Sequence, residues 1–503
     1  MMRMNIAVLL LIFLLDVKNV GCFRAKQDFD LFAGLRLEPV SEFFKELMTD
    51  EQDDEQVDDR SLGASTGRYL EITSYILQLI YSLIGQTGHS AKSLELARQM
   101  NKLQDEVPYH VPFPCPTNNT RSKRRPTSVV KVRPGDIDVV AALGDSLVAA
   151  NGAVSTNVFQ VFIANRGVSW AIGGQETWRQ YLTLPNILKE FNPNLIGYST
   201  GDSLYSANRE RSQLNAAEPG ARSRDLLGMT ENLIERIKNH PGIDLQKDWK
   251  WMTKGTNIAL DALRGHTARV ADDWSAVELT NFSSARKVET MIDRAFLSLL
   301  MVTIFIGAMD FCFGMCYRDN PQEIVEEHRK HLMETLIKLR DNLPRTIVNV
   351  VQQINLSNIL PKFSGLPWLC RRLYKPYECP CLVDKRFENL TQEFQSIMSK
   401  WQKIELKVVN SSKFQKRNDF VAVVQPFLYN AEFPTVEIEK GSQTDLRYLS
   451  HDCFHLSQLG HAKAANALWN NIMESPGSKT TTWNTEFLKL KCPTEDQPYI
   501  PVR

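Results

Sequence analysis

Residues 140–153 read VAALGDSLVAANGA: an apolar run that stops at Gly144-Asp145-Ser146-Leu147 and continues in small residues. Extended back to Ile137, the run becomes IDVVAALGD, short and apolar almost throughout, the pattern of a strand buried on both faces of a parallel sheet. Three further stretches are similarly β-rich: VTIFIGAMD (302–310), TIVNVVQQIN (346–355) and DFVAVVQPFL (419–428). Between the first two of these three lies PQEIVEEHRKHLMETLIKLRDNLP. Its Ile324, Leu332, Leu336, Leu339 and Leu343 fall at helical spacing, with Pro321 near the start and Pro344 at the end. SQLGHAKAANALWNNIM (457–473) predicts a last helix. Strands alternating with helices predict an α/β fold in three layers, its mainly parallel central sheet covered on both faces.

The rest of the composition narrows the function class. Lys plus Arg (59) nearly balance Asp plus Glu (58), so no net field favours nucleic acid. The first residues, MMRMNIAVLLLIFLLDVKNVGCF, read as a secretory signal over 1–22, with Arg3 as a positive start and Ile6–Leu15 as an apolar stretch too short to span a bilayer. The expectation is a secreted protein, with membrane association at the cell surface as the alternative. Removal of the signal takes Cys22 and leaves Cys115, Cys312, Cys316, Cys370, Cys379, Cys381, Cys453 and Cys492. That even number predicts disulfides over a metal site, with the connectivity open. Sequons at Asn118, Asn281, Asn355, Asn389 and Asn410 accord with secretion.

Organisation along the chain follows from composition. An acidic, solvated stretch (Leu47–Arg60) and helical periodicity from Gly67 to about Leu103 suggest an N-terminal extension over 23–111. The Pro-rich VPYHVPFPCPTNNTRSKRRPTS then leads into a main domain over 112–500. Trp251–Met301 interrupts that domain as an insertion of mixed composition without a strong amphipathic pattern; a lid over the acyl site is one reading, and a structureless insertion or intervening non-coding sequence, expected to loop away from the sheet, is the favoured one.

Chemistry-bearing residues gather where such sheets place them, outside the carboxyl ends of the strands. Ser146 and GAMD (307–310) each follow a predicted strand, and SHDCFHLSQLGHA sets Asp452 and His455 on a turn before the last helix. A serine becomes a strong nucleophile only when a base takes its proton, and the histidine that does so needs a carboxylate to orient it. A turn carrying Asp452 and His455 supplies both. LGDSL, RGVSWAIGG, IFIGAMD and DCFH resemble, in this order, the four blocks of the GDSL, or SGNH, hydrolases. PTSVVKVRPGDIDVVAALGDSL, TLPNILKEFNPNLIGYSTG, CPC and DCFHLSQLGHAKAANALWNNIMESP are similar, more specifically, to the phospholipase B group of that family.

The resemblance implies a three-layer, flavodoxin-like fold and a serine esterase that removes both acyl chains of glycerophospholipids, without a cofactor or metal. Its partners would be phospholipid or lysophospholipid substrates and, transiently, a membrane surface. It implies Ser146 as nucleophile, His455 as general base and acid, and Asp452 as its orienter, with the backbone N–H groups of Ser146 and Gly174 in the oxyanion hole. Tyr198, Phe305, Phe313 and Leu456 are candidates for an acyl site or for core. Two substitutions depart from the family pattern. Met309 stands where the family has an asparagine that donates to the oxyanion, and a thioether has no such donor. GGQET (173–177) replaces the more usual Gly-Gly-Asp-Gly-Thr, with Gln175 a substitute donor. These departures set a catalytically impaired, lipid-binding protein, or an esterase for another ester, beside the phospholipase reading.

Overall fold

The computed structural model describes residues 91–203, 209–243, 245, 298–356, 370, 378–438, 441–484 and 486–503. Residues 1–90, with the predicted signal and the acidic stretch, lie outside that set, as does most of the predicted insertion.

Four parallel strands, β1 (Val139–Gly144), β2 (Leu300–Phe305), β3 (Thr346–Val351) and β4 (Phe420–Gln425), form a sheet in sequence order, β1-β2-β3-β4. All are buried along their whole length, which is why they read as continuous apolar runs rather than alternating ones. The outer edge of β1 is covered by parallel bridges from Val139 to Ile196 and from Ala142 to Asn215.

Seven helices matter for the site: α1 (Ala91–Gln99), α2 (Ser146–Ala149), α3 (Leu184–Phe191), α4 (Leu226–Lys238), α5 (Glu323–Asn342), α6 (Thr391–Val409) and α7 (Gln458–Ile472). Alternate strand residues separate the two faces. Val140, Ala142, Met301 and Ile347 pack with Ile187 and Leu188 of α3 and with Leu468 and Trp469 of α7. Val139, Ala141, Val302 and Val348 pack with Leu233 and Ile237 of α4 and with Leu332 and Leu336 of α5. The result is the three-layer α/β arrangement predicted from the strand and helix patterns.

Two boundaries differ from the sequence expectation. Leu300 and Met301 are the first residues of β2, and the Leu299 carbonyl accepts from the Asp138 and Val139 amides, so the interval 251–301 overlaps the sheet at its end. An apolar residue at the edge of a featureless segment carries no local mark of strand pairing. Residues 102–111, expected in the extension, are hydrogen-bonded into the main domain. The Leu459 amide donates to the Lys102 carbonyl and the Val107 amide to that of Arg179. Four disulfides, Cys115–Cys492, Cys312–Cys379, Cys316–Cys381 and Cys370–Cys453, use the eight cysteines predicted for the mature chain.

Candidate active site

Ser146 sits where β1 gives way to α2. The Asp145 side chain accepts from the Leu147 amide (3.0 Å) and starts the helix, leaving Ser146 at its first position. That helix lasts four residues before Ala150 takes a left-handed conformation at φ 61°. The glycines on either side of Ser146 have a packing reason. A Cβ on Gly144 would meet the Phe305 carbonyl oxygen at 2.4 Å, and one on Gly152 (φ 64°) would meet Ser450 Oγ at 2.7 Å. Gly152 therefore lets the chain behind the serine lie against the turn that carries the histidine. Ser450 Oγ donates to the Gly152 carbonyl (2.8 Å), and the Gln458 amide to that of Ala153 (2.7 Å).

The turn itself is closed by an antiparallel bridge between Leu449 and Leu456, with Cys453 at φ 62°. Asp452 Oδ1 accepts from the amides of Phe454 (3.0 Å) and His455 (3.1 Å), which fixes its carboxyl and aims Oδ2 at His455 Nδ1. On the other side of the ring, His455 Nε2 lies 2.8 Å from Ser146 Oγ. Three residues from the two ends of the main domain thus meet in one hydrogen-bonded chain, with Ser146 7%, His455 8% and Asp452 2% exposed, enough for a substrate to reach the serine but not the aspartate.

The electrostatics follow from that burial. Loss of water would lower the His455 pKa, but the charge and hydrogen bond of Asp452, with smaller help from Glu378 and Asp145, raise it to about 9. Burial pushes Asp452 upward, and His455 together with the two turn amides more than reverses this, holding it below the ordinary carboxylate value. Burial raises the Asp145 carboxyl to about 6. Among the described residues one trio of metal-ligating side chains converges, Glu378, Asp452 and His455, with one ligand atom of each within 4.8 Å of the others. Both His455 nitrogens already have protein partners, so this trio is organised for proton transfer.

The expected oxyanion groups fare differently. Gly144 pairs with Phe305, so Ser146 and Gly307 each stand two residues past the same rung of the sheet, and Met309 follows at the start of a short helical segment. The Ser146 amide, at a first helical position, has no intrahelical partner. The Gly174 amide, by contrast, donates to the Ser199 carbonyl (2.8 Å). The bridge between Gly173 and Ser199 draws this backbone onto its neighbour, and motif spacing does not reveal such a pairing. Gly174 is nonetheless sterically required, because a Cβ there would meet Tyr198 Cδ2 at 2.1 Å. Gln175 Oε1 lies against Gly167.

An apolar pocket of about 60 Å³ opens beside the serine and histidine, walled by Leu147, Trp170, Phe305, Phe454, Leu456 and Trp483, among others. Phe305 and Leu456 are thus acyl-site candidates that line it. Tyr198 instead covers Gly174, and Phe313 packs on the core. Sequence reasoning missed Lys102, whose ammonium donates to the Leu446 (3.1 Å) and Leu449 carbonyls before the turn. It also missed Gln104, whose amide group links Leu182, Trp178 and Gln458. Glu378 was missed as well. Its only signal was its place beside the Cys379-Pro-Cys381 motif.

A model of the family described as GDSL-like Lipase/Acylhydrolase matches residues 140–468. The Homo sapiens protein "Phospholipase B1, membrane-associated" is 36% identical over 378 residues, 75% of this chain and 22% of that protein. Its Rattus norvegicus namesake is 33% identical over 393 residues, 77% of this chain and 23% of that protein. The chain therefore spans less than a quarter of the length of these relatives.

Proposed function

The chain belongs to the GDSL-like lipase/acylhydrolase family, and from that premise we propose that it is a serine esterase hydrolysing acyl esters of glycerophospholipids and lysophospholipids. The observation that carries the proposal is the continuous contact from Asp452 through His455 to Ser146, with 2.8 Å between Nε2 and Oγ. In this reading Ser146 Oγ attacks the acyl carbonyl carbon while its proton passes to His455 Nε2. The tetrahedral oxyanion collapses, His455 returns the proton to the departing glycerol oxygen, and an acyl-serine remains. Water, deprotonated by His455, then releases the fatty acid and restores Ser146. Asp452 keeps the imidazole in the right tautomer and offsets the imidazolium charge in both halves of the reaction. The apolar pocket beside Leu147 and Leu456 suits an acyl chain.

The disulfides support an oxidising compartment, hence a secreted or cell-surface location. No helix among the described residues is long and apolar enough to cross a membrane. Exposed Asn118, Asn389 and Asn410 suit glycosylation, whereas Asn355 is buried.

A second reading rests on Met309 and on the Gly174 amide donating to Ser199: a fold that binds lipid but stabilises the oxyanion poorly. Turnover of phosphatidylcholine, lysophosphatidylcholine and a short-chain nitrophenyl ester separates the readings. The phospholipase reading expects fatty acid from both lipids and nearly none after Ser146→Ala. Lipid binding without turnover supports the second reading, and turnover of the short ester alone refutes phospholipid specificity.

A further inference from the structure

Three of the disulfides converge on one stretch of chain. Cys379 and Cys381 are bonded to Cys312 and Cys316, just past Met309 at the end of β2, and Cys370 is bonded to Cys453, next to Asp452 in the histidine turn. Glu378 immediately precedes the doubly bonded pair. A carboxylate oxygen of Glu378 comes within 4.8 Å of both an Asp452 carboxylate oxygen and a His455 ring nitrogen. Two carboxyl groups and one imidazole thus share one space, with Asp452 and His455 buried and Glu378 half-buried, where at most one carboxylate charge is balanced by the ring. The disulfides of Cys379 and Cys381 anchor the chain directly after Glu378 and hold its backbone beside the site.

We propose that Glu378 is a positioning residue of this site, acting on His455 through its carboxyl charge and delaying the release of the histidine as a free base until the solution is more alkaline. The proposal rests on the Ser146–His455–Asp452 reading above. The directions agree with it: burial and then Asp452 raise the Glu378 carboxyl to about 8, and Glu378 contributes to the upward shift of His455. The other ionisable neighbours leave room for this role. Asp452 and Asp145 also favour the charged ring, while the buried His461 has its own pKa driven down to about 3 by burial and then by His455. Lys102 and His451 interact with Asp452 from the far side of the turn.

The test measures the rate at which a fluorophosphonate labels Ser146 across pH, alongside nitrophenyl ester turnover, in the full chain and in Glu378→Gln, Glu378→Ala and Glu378→Asp. Both neutral variants should shift the midpoint of the acidic limb to lower pH by about half a unit, with rates converging on wild type well below pH 8, where the Glu378 carboxyl is itself protonated. Glu378→Asp should restore the wild-type limb. A merely structural role predicts slower reaction at every pH, and that result, or an unmoved limb in a folded neutral variant, overturns the proposal. If Ser146→Ala still takes up the label, the underlying triad reading fails and the proposal with it. If labelling is confined to Ser146 and the limb does not move, the proposal alone fails.

Discussion

At Met309 the sequence places a thioether where the family pattern has a hydrogen-bond donor, and the Gly174 amide that would share the load donates to Ser199 instead. If the Ser146 amide carries the oxyanion largely alone, wild-type kcat on lysophosphatidylcholine is low. Met309→Asn should then raise it by about 10²-fold with little change in KM, because the new donor acts on charge that develops in the transition state. A fast wild-type enzyme that asparagine does not improve would refute this. His455 gives a second expectation. With its pKa raised to about 9, the free site holds mostly imidazolium at neutral pH, so kcat/KM should climb with pH through the alkaline range. Stability moves the opposite way. The contribution of the charged His455–Asp452 pair is complete below the unfolded value of 6.5 and is lost as pH rises through about 9, which parallel urea melts would detect. Ser146, Asp452 and His455 were legible as candidates because acyl transfer demands those residue types. Glu378 was not, because nothing local to its sequence says which ring it faces.

Among the elements, the β1–α2 junction and the segment 102–107 decide whether the site is held. Replacing Gly144 by alanine forces a methyl against the Phe305 backbone at 2.4 Å and against Val148 Cγ2 at 2.5 Å. The expected cost is about 1–3 kcal/mol in chemical denaturation, with esterase activity falling as Ser146 is displaced. Lys102→Met should also cost about 1–3 kcal/mol, because it removes the donor of the Leu446 and Leu449 carbonyls while keeping the aliphatic stem. Strands and helices were readable from apolar runs and helical spacing, since the sheet buries both faces and a helix such as α5 only one. The role of 102–107 was hidden because its contacts are hydrogen bonds to residues more than seventy positions away, such as Gln104 to Leu182 and to Gln458.

For the whole molecule, Cys115–Cys492 joins residues 377 positions apart and so ties the two ends of the main domain together. Replacing both cysteines by serine should lower stability by about 2–4 kcal/mol under oxidising conditions, with the site geometry kept. We propose that residues 251–297 are dispensable for the hydrolase domain. Their deletion should preserve folding, whereas one extended through Met301 should fail because it removes the start of β2. The layered fold followed from strand and helix order, but the edges of this interval depend on partners that its composition does not encode. The central claim, a serine esterase built around Ser146, is tested most directly by mass spectrometry of the acyl-enzyme after rapid acid quench with lysophosphatidylcholine. The account predicts a fatty-acyl adduct on the peptide carrying Ser146, absent from Ser146→Ala and greatly reduced in His455→Ala. An adduct on another residue, or fatty-acid release that persists undiminished in Ser146→Ala, would contradict it.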